Sequence, residues 1–140
     1  MFTTRKPFLV ILMALAFGLS AIVVGSALAQ QAPPAPLKPA TAKELGTFLV
    51  DAKGMTLYVF DDDKQPGKSA CNEGCAKAWP PFAPKAGDPA AVAPLSVITR
   101  DDGSKQYAYK GKPLYYYAKD QKAGDTIGQA AGKRWWVVKP

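Results

Sequence analysis

The stretch GKPLYYYAKDQKAGDT, Gly111 to Thr126, repeats the plan of an earlier stretch, GMTLYVFDDDKQPGKS, Gly54 to Ser69. A gapless shift of 115 − 58 = 57 residues aligns Tyr58 with Tyr115. It gives eight identities in the 79 − 46 + 1 = 34 positions that begin at Gly46. Average residue usage would give roughly two. The sequence therefore indicates an internal duplication, with copies at about residues 46–79 and 103–136.

Each copy has the pattern of a β-hairpin followed by an apolar strand. Gly54 can supply the positive φ that a tight hairpin turn needs. In the strand LYVF, Tyr58 and Phe60 point to one face while Leu57 and Val59 point to the other, so both faces are apolar. We predict a mostly β fold: a small single domain built from two copies of a β-hairpin repeat, with a short helical turn near the cysteines.

The residues shared by the two copies are the candidate motif positions. An aspartate just after the strand can accept backbone N–H bonds and fix the following loop, while the aromatic rings are interpreted as core. The predicted structural positions are Tyr58, Phe60, Asp63, Tyr115, Tyr117, Asp120, Trp79 and Trp136. The alternative is that Tyr116, Trp135 or Trp136 forms an exposed platform that stacks against a sugar.

The N-terminus has the features of a secretory signal. Arg5 and Lys6 precede an apolar run that ends at small residues, which predicts a signal peptide over 1–29 and cleavage after Ala29. The apolar run also reaches the lower limit for a membrane span, so an uncleaved anchor is the competing interpretation. Residues 30–45 are proline-rich and predict a linker, with the repeat domain at 46–140. We expect export to the periplasm or beyond.

Cys71 and Cys75 are the only cysteines, in a CxxxC spacing. In an exported protein two cysteines predict one disulfide, here in a short loop that leads into Trp79. The alternative is a reduced pair that binds a soft metal such as copper(I) or performs thiol redox chemistry.

Charge and composition favour some functions over others. After signal cleavage 18 − 2 = 16 basic residues face 11 acidic ones, and the lysines are scattered singly. This pattern does not predict a nucleic-acid partner, but it allows weak association with anionic polymers of the cell envelope. The chain has no histidine and no recognisable catalytic set, so we predict neither an enzyme nor a cofactor.

With LYVFDDD, LYYYAKD, CNEGCAKAWPPF and a WWVV ending, the sequence resembles a bacterial family of secreted repeat proteins, the predicted lipoproteins with a Yx(F/W/Y)xxD motif. The resemblance covers about Gly46 to Pro140. It implies export and a repeat, and the family is described as being of unknown function. Many relatives carry a lipid-anchor cysteine that this chain lacks, so we predict no lipid anchor. The leading hypothesis is a structural or binding module of the cell envelope.

Overall fold

Three small antiparallel sheets make up the fold of residues 36–140, the part of the chain that the computed structural model describes. The elements are β1 (Lys38–Ala42), β2 (Gly46–Val50), β3 (Tyr58–Phe60), α1 (Gly74–Ala78), β4 (Leu95–Thr99), β5 (Lys105–Tyr109), β6 (Lys112–Pro113) and β7 (Trp135–Val137). One sheet pairs β1 with β2, the second pairs β3 with β7, and the third has the order β4-β5-β6. Within residues 36–140, helical structure is limited to α1 and a 3-10 turn at Ala131–Lys133. The predicted mostly β fold is confirmed.

The folded unit begins earlier than the composition suggested. Strand β1 lies inside the predicted linker 30–45 and pairs with β2 along its length, from Lys38 opposite Val50 to Ala42 opposite Gly46. Leu37 is buried in the core. Proline in β1 misled the linker prediction, because proline is tolerated where its missing N–H faces away from a partner strand. The predicted signal peptide 1–29 and residues 30–35 lie outside the described residues.

The last strand of the second repeat completes the first repeat. The Leu57 N–H donates to the Leu49 carbonyl at 3.2 Å, and the Leu57 carbonyl accepts the Val138 N–H at 3.0 Å. The Leu49 N–H in turn donates to Val138 at 2.8 Å. Strand β7 also pairs with β3, Tyr58 opposite Val137. The hairpin of one repeat therefore gains a strand that lies near the C-terminal end of the other.

The second repeat is completed in the same way by the first. The Leu114 N–H donates to the Tyr107 carbonyl at 2.9 Å, and the Leu114 carbonyl accepts the Phe82 N–H at 2.9 Å. The Tyr107 N–H in turn donates to the Phe82 carbonyl at 2.8 Å. Residues 80–82 thus stand in for β7. Between the two units, Tyr58 and Tyr115 exchange both backbone N–H bonds, at 2.8 and 3.0 Å. The copies are interlocked about a pseudo-two-fold axis that passes between these tyrosines.

The buried side chains form two clusters, one on each side of this exchange. The first contains aliphatic residues with three aromatic rings: Leu37, Leu49, Leu57, Phe82, Leu95, Tyr107, Tyr109, Leu114 and Val138. The second is mainly aromatic: Phe48, Val50, Tyr58, Cys71, Trp79, Tyr115, Trp135 and Val137. Both clusters draw on both repeats, so neither copy has a complete core of its own. Among residues 36–140, no helix has the length and apolar character needed to cross a bilayer.

A candidate binding cleft where the repeats meet

Each motif tyrosine is hydrogen-bonded to the motif aspartate of the other repeat. The Tyr58 hydroxyl donates to Asp120 Oδ2 at 2.6 Å, and the Tyr115 hydroxyl donates to Asp63 Oδ2 at 2.7 Å. Both tyrosines are fully buried. A buried phenol needs an acceptor, so these crossed bonds join the copies through polar groups that water cannot satisfy.

The second oxygen of each aspartate holds the loop that follows it. Asp63 Oδ1 accepts the Ala70 N–H at 2.7 Å, and Asp120 Oδ1 accepts the Ile127 N–H at 2.9 Å. The two loops are equivalent, since each donor lies seven residues after its aspartate. One carboxylate therefore fixes both its own loop and the tyrosine of the other repeat.

Burial controls the ionisation of these groups. Loss of solvation raises the pKa of Tyr58 and of Tyr115 far above the ordinary tyrosine range, and the neighbouring carboxylate adds to the effect in each case. Burial also raises the pKa of Asp63 and of Asp120, although the bonds that they accept oppose this rise. The phenols are proton donors that stay protonated at neutral pH.

Four aromatic rings stack across the pseudo-two-fold axis. Trp79 and Trp135 lie at the centre, with ring centroids 3.8 Å apart and planes inclined by 2°. Phe60 stacks on Trp135 at 4.1 Å, and Tyr117 stacks on Trp79 at 4.2 Å. The stack therefore alternates between the repeats, and each tryptophan is covered by a motif ring of the other copy. Stacked and edge-to-face rings contribute beyond their buried area.

The structure also corrects the tryptophan pairing. A gapless shift of 57 residues aligned Trp79 with Trp136, but the equivalent of Trp79 is Trp135, at 135 − 79 = 56. The same shift of 56 residues relates Phe82 to Val138, because the backbones of these two residues make equivalent hydrogen bonds in the two repeats. One residue fewer between motif and last strand of the second copy moves the register by one. Because a one-residue slip in a strand exchanges faces, Trp136 points away from the stack.

A cleft of about 380 Å³ opens along the edge of this stack. The cleft is open because several of its lining residues are alanine or glycine. Two cationic side chains, Lys119 and Arg134, are also part of the lining. Arg134 forms a 2.8 Å ion pair with Asp62, which is not part of the lining. The lining residues come from both repeats: Ala78, Trp79, Tyr117, Ala118, Lys119, Ala131, Gly132, Arg134 and Trp135. We call this the junction cleft.

The junction cleft departs from the pseudo-symmetry at its charged positions. The equivalent of Lys119 is Asp62, at 119 − 62 = 57, and the equivalent of Arg134 is Ala78, at 134 − 78 = 56. Two equivalent backbone bonds support this assignment: Ala118 N–H to the Ala78 carbonyl and Asp61 N–H to the Arg134 carbonyl, each 2.9 Å. In one half, Arg134 and Asp62 form an ion pair. At the equivalent positions of the other half, Lys119 lies opposite Ala78.

Arg100 is a buried, hydrogen-bonded arginine that the sequence did not single out. It is 5% exposed and donates to four neutral acceptors, two of them the Ser69 hydroxyl at 2.9 Å and the Cys71 carbonyl at 2.6 Å. Ser69 lies 2.7 Å from the Tyr115 hydroxyl, so Arg100 is linked to Asp63 through two hydroxyls. It is one of only three arginines in a lysine-rich sequence, and this is the single signal that marks it.

The predicted disulfide between Cys71 and Cys75 is confirmed, with Cα atoms 5.2 Å apart. It connects the loop after β3 to helix α1, and Trp79 of the stack follows directly at the C-terminal end of this helix. No free thiol is present in this form. Among residues 36–140, no group of three or more histidine, cysteine, aspartate or glutamate side chains is placed to hold a metal. A metal or thiol role would therefore begin with reduction of this bond.

The three rings considered as sugar platforms occupy different environments. Trp135 is buried in the stack. Tyr116 is half-buried, packs edge-on against Phe82 and donates its hydroxyl to Asp51 at 2.8 Å. Trp136 is half-buried too; it lines a second cleft and, unlike Trp135, is in none of the ring stacks described among residues 36–140.

Residues 40–83 and 96–139 each match the model of a family described as a secreted repeat of unknown function. The two matches together cover well over half of the chain. The protein belongs to this secreted-repeat family. The resemblance noted in the sequence is thereby confirmed, and the family boundaries include most of β1 and all of β7, as the interlocked fold requires. No curated protein and no solved structure matches the chain significantly.

Proposed function

We propose that this secreted-repeat protein is an exported binding module of the cell envelope, and that the junction cleft is its binding site. The observation that carries the proposal is the cleft along the edge of the Trp79–Trp135 stack. Ligand sites favour concave, largely apolar surfaces between structural units that carry a few polar groups. Two interlocked copies hold such a surface rigid, because the same contacts that form the core position its walls.

The chemistry of the cleft favours a ligand with an apolar or sugar-like body and one anionic group. Aromatic rings carry a positive edge and a negative face, so a cleft along the edge of a stack is mildly electropositive. Lys119 adds a full positive charge to the lining, whereas the charge of Arg134 is paired with Asp62 outside it, and no carboxylate lies in the described lining. A carboxylate or phosphate on the ligand would complete the electrostatic match.

Lys119 is the residue that we assign to the anion. Arg134 is already paired with Asp62, whereas no ion pair involves Lys119 among residues 36–140. Ala78, opposite Lys119, leaves room where the pseudo-symmetric position holds the large side chain of Arg134. The proposed role is binding without catalysis. Its titratable lining consists of Lys119, Arg134 and Tyr117, a set that supplies no acid and base pair for hydrolysis.

Native mass spectrometry tests the proposal first. The mature chain, purified from a periplasm without reductant or chelator, should carry a small anionic molecule that dissociates on activation. Glucuronate and benzoate, with glucose and benzamide as neutral counterparts, then serve as probes in titrations monitored by tryptophan fluorescence. The anionic member of each pair should bind more tightly. The absence of both a retained molecule and any probe binding would refute the assignment.

Variants locate the site. Ala78→Arg should block the cleft by restoring the bulk found at the symmetric position, and Lys119→Gln should weaken binding of the anionic probe by about threefold to tenfold. Lys43→Gln removes an exposed lysine elsewhere and is the matched control. If Ala78→Arg retained the same molecule at the same occupancy, the ligand would have to lie outside the junction cleft.

A further inference from the structure

A second cleft, of about 420 Å³, is separate from the junction cleft. Three lysines line it, Lys110, Lys112 and Lys139, together with the carboxylate of Asp61. Its apolar lining is formed by Val59, Tyr109, Trp136, Val137 and Val138. We call it the lysine–tryptophan groove. Neither the repeat motif nor the proposed junction site uses it.

The groove is built from two different sheets. Val59 of β3 lies opposite Trp136 of β7 in the antiparallel register, so their side chains share one face. The turn between β5 and β6 brings Lys110 and Lys112 to the same cleft. The backbone of Lys110 has φ 51°, and its N–H donates to the Pro94 carbonyl at 2.9 Å, which fixes the turn. The Lys110 ammonium lies 5.2 Å from the centre of the Tyr109 ring.

Two of the three lysines are free to bind a ligand. Lys139 donates its ammonium protons to the backbone carbonyls of Leu45 and Thr47. Asp61 accepts the Trp136 indole N–H at 2.8 Å, which holds the ring in place and engages the carboxylate. Lys110 and Lys112 are exposed and contact no carboxylate among residues 36–140. The groove therefore combines two cations that have no carboxylate partner in the described part of the chain with an indole that is oriented by its own hydrogen bond.

We propose that the lysine–tryptophan groove binds a strand of an anionic polysaccharide. The apolar C–H face of a pyranose ring packs against an aromatic face, and its carboxylates pair with ammonium groups. A lipid surface fits less well, because an inserting ring must protrude, whereas Trp136 is half-buried within a cleft. The inference is independent of the proposed function, since the two sites share no lining residue.

Binding to polygalacturonate, a polymer of uronic acid, tests the proposal. Tryptophan fluorescence of the mature protein should change on titration, and the apparent affinity should fall as salt screens the lysines. Neutral dextran should cause no change. Double-stranded DNA and vesicles that contain an anionic lipid are the competing partners. Equal or tighter binding to either of these would overturn the assignment to a glycan.

Two sets of variants make the test site-specific. Lys110→Gln with Lys112→Gln should weaken polygalacturonate binding by about fivefold to tenfold. Lys105→Gln with Lys122→Gln removes the same net charge elsewhere and should change it by less than about twofold. Equal losses in the two doubles would show an unspecific effect of net charge and overturn the groove.

The indole is tested separately. Trp136→Ala should weaken polygalacturonate binding by about threefold or more, whereas Trp136→Phe, which keeps an aromatic face, should preserve most of the affinity. Circular dichroism and thermal unfolding establish that each variant is folded. Unchanged affinity in a folded Trp136→Ala variant would remove the sugar-stacking role. The Ala78→Arg variant of the junction cleft should bind polygalacturonate normally, so the two proposals fail or succeed separately.

Discussion

The hydroxyl of Tyr58 donates to the carboxylate of Asp120, 2.6 Å away and 62 residues later in the chain. Its counterpart links Tyr115 to Asp63 at 2.7 Å. Together the two bonds explain why one motif is present twice. The tyrosine of each copy is buried only because the other copy supplies its acceptor, and the last strand of each copy pairs with the other. A single copy would leave both the phenol and the strand edge without partners.

The two crossed bonds are equivalent in geometry but not in their surroundings, and this predicts unequal costs of removing the aspartates. Without Asp120, the Tyr58 hydroxyl keeps only the Gly128 N–H, a donor, at 3.2 Å. Without Asp63, the Tyr115 hydroxyl can still donate to Ser69. Asp120→Ala should lower the free energy of unfolding by about 2–3 kcal/mol, and Asp63→Ala by about 1–2 kcal/mol.

Urea unfolding of both variants measures the difference. The conservative changes Asp120→Asn and Asp63→Asn retain an acceptor oxygen and should recover part of the loss. Each aspartate also holds an N–H of the following loop, so some loss is expected from both alanine variants. A variant of Asp63 that is less stable than the corresponding variant of Asp120 would contradict the role of Ser69 as the substitute acceptor.

The buried tyrosines predict instability at high pH. Burial raises the pKa of Tyr58, Tyr115 and Tyr116 in the folded chain, and each is bonded to a carboxylate that adds to the rise. In the unfolded chain they titrate near the ordinary value of about 10. Above that pH the unfolded chain has lost protons that the native chain keeps, so stability falls as pH rises. Three such groups contribute at most roughly 4 kcal/mol per pH unit.

Denaturant unfolding between pH 8 and pH 11 measures this slope, and absorbance of tyrosinate shows whether ionisation accompanies unfolding. Tyr58→Phe lowers stability at neutral pH but removes one of the groups, so its curve should fall less steeply above pH 10. Tyrosinate absorbance from all six tyrosines while the protein remains folded would contradict the assigned burial.

The sequence predicted the repeat and the disulfide but not the register of the last strands. The motif LYVFDDD and its copy carry their own signal, because an apolar strand, a glycine turn and an aspartate recur together. Trp135 and Trp136 are adjacent, and a gapless comparison chose the wrong one because nothing local marks the missing residue. Strand β1 was missed for a related reason. Its proline and the three prolines just before it are typical of a linker, and only pairing with β2 makes it a strand.

The junction cleft could not be predicted from the sequence either. Its position depends on which ring edges remain uncovered after strand exchange, a property of tertiary packing. Lys119 had no special signal among the scattered lysines, and Ala78 became informative only when its symmetric partner proved to be Arg134. Composition alone allowed weak association with anionic polymers of the cell envelope and indicated no place on the surface for it.

The buried guanidinium of Arg100 predicts an arginine requirement. One terminal nitrogen donates to Ser69 and Gln106, at 2.9 and 2.7 Å, while the other donates to Cys71 at 2.6 Å and Asn72 at 3.3 Å. A lysine ammonium cannot reproduce this planar fork. Arg100→Lys should cost about 2 kcal/mol or more of unfolding free energy, because several buried acceptors lose their donors.

The matched control is Arg134→Lys. Arg134 is exposed and its ion pair with Asp62 is open to solvent, so this change should alter stability by less than about 0.5 kcal/mol. Chemical denaturation of both variants under the same conditions provides the comparison. If Arg100→Lys were as harmless as Arg134→Lys, the buried hydrogen bonds of the guanidinium would contribute little to the fold.

Gly128 marks the tightest point of the aromatic core. A Cβ atom at this position would lie 2.9 Å from the Trp79 ring and 2.9 Å from Cζ of Tyr58. Both rings are held by partners, Tyr58 by Asp120 and Trp79 by the stack with Trp135, so neither can move away cheaply. Gly128→Ala should therefore lower the free energy of unfolding by about 1–3 kcal/mol through overpacking.

Gly74→Ala is the control, because a Cβ there meets nothing within 4 Å and Gly74 is not among the positive-φ glycines. Thermal unfolding of the pair should separate the two effects. Gly128→Ala should also shift the near-ultraviolet circular dichroism, which reports the orientation of stacked tryptophans. A stable Gly128→Ala variant with an unchanged spectrum would show that the aromatic stack adapts, and it would weaken the claim that strand exchange holds the walls of the junction cleft rigid.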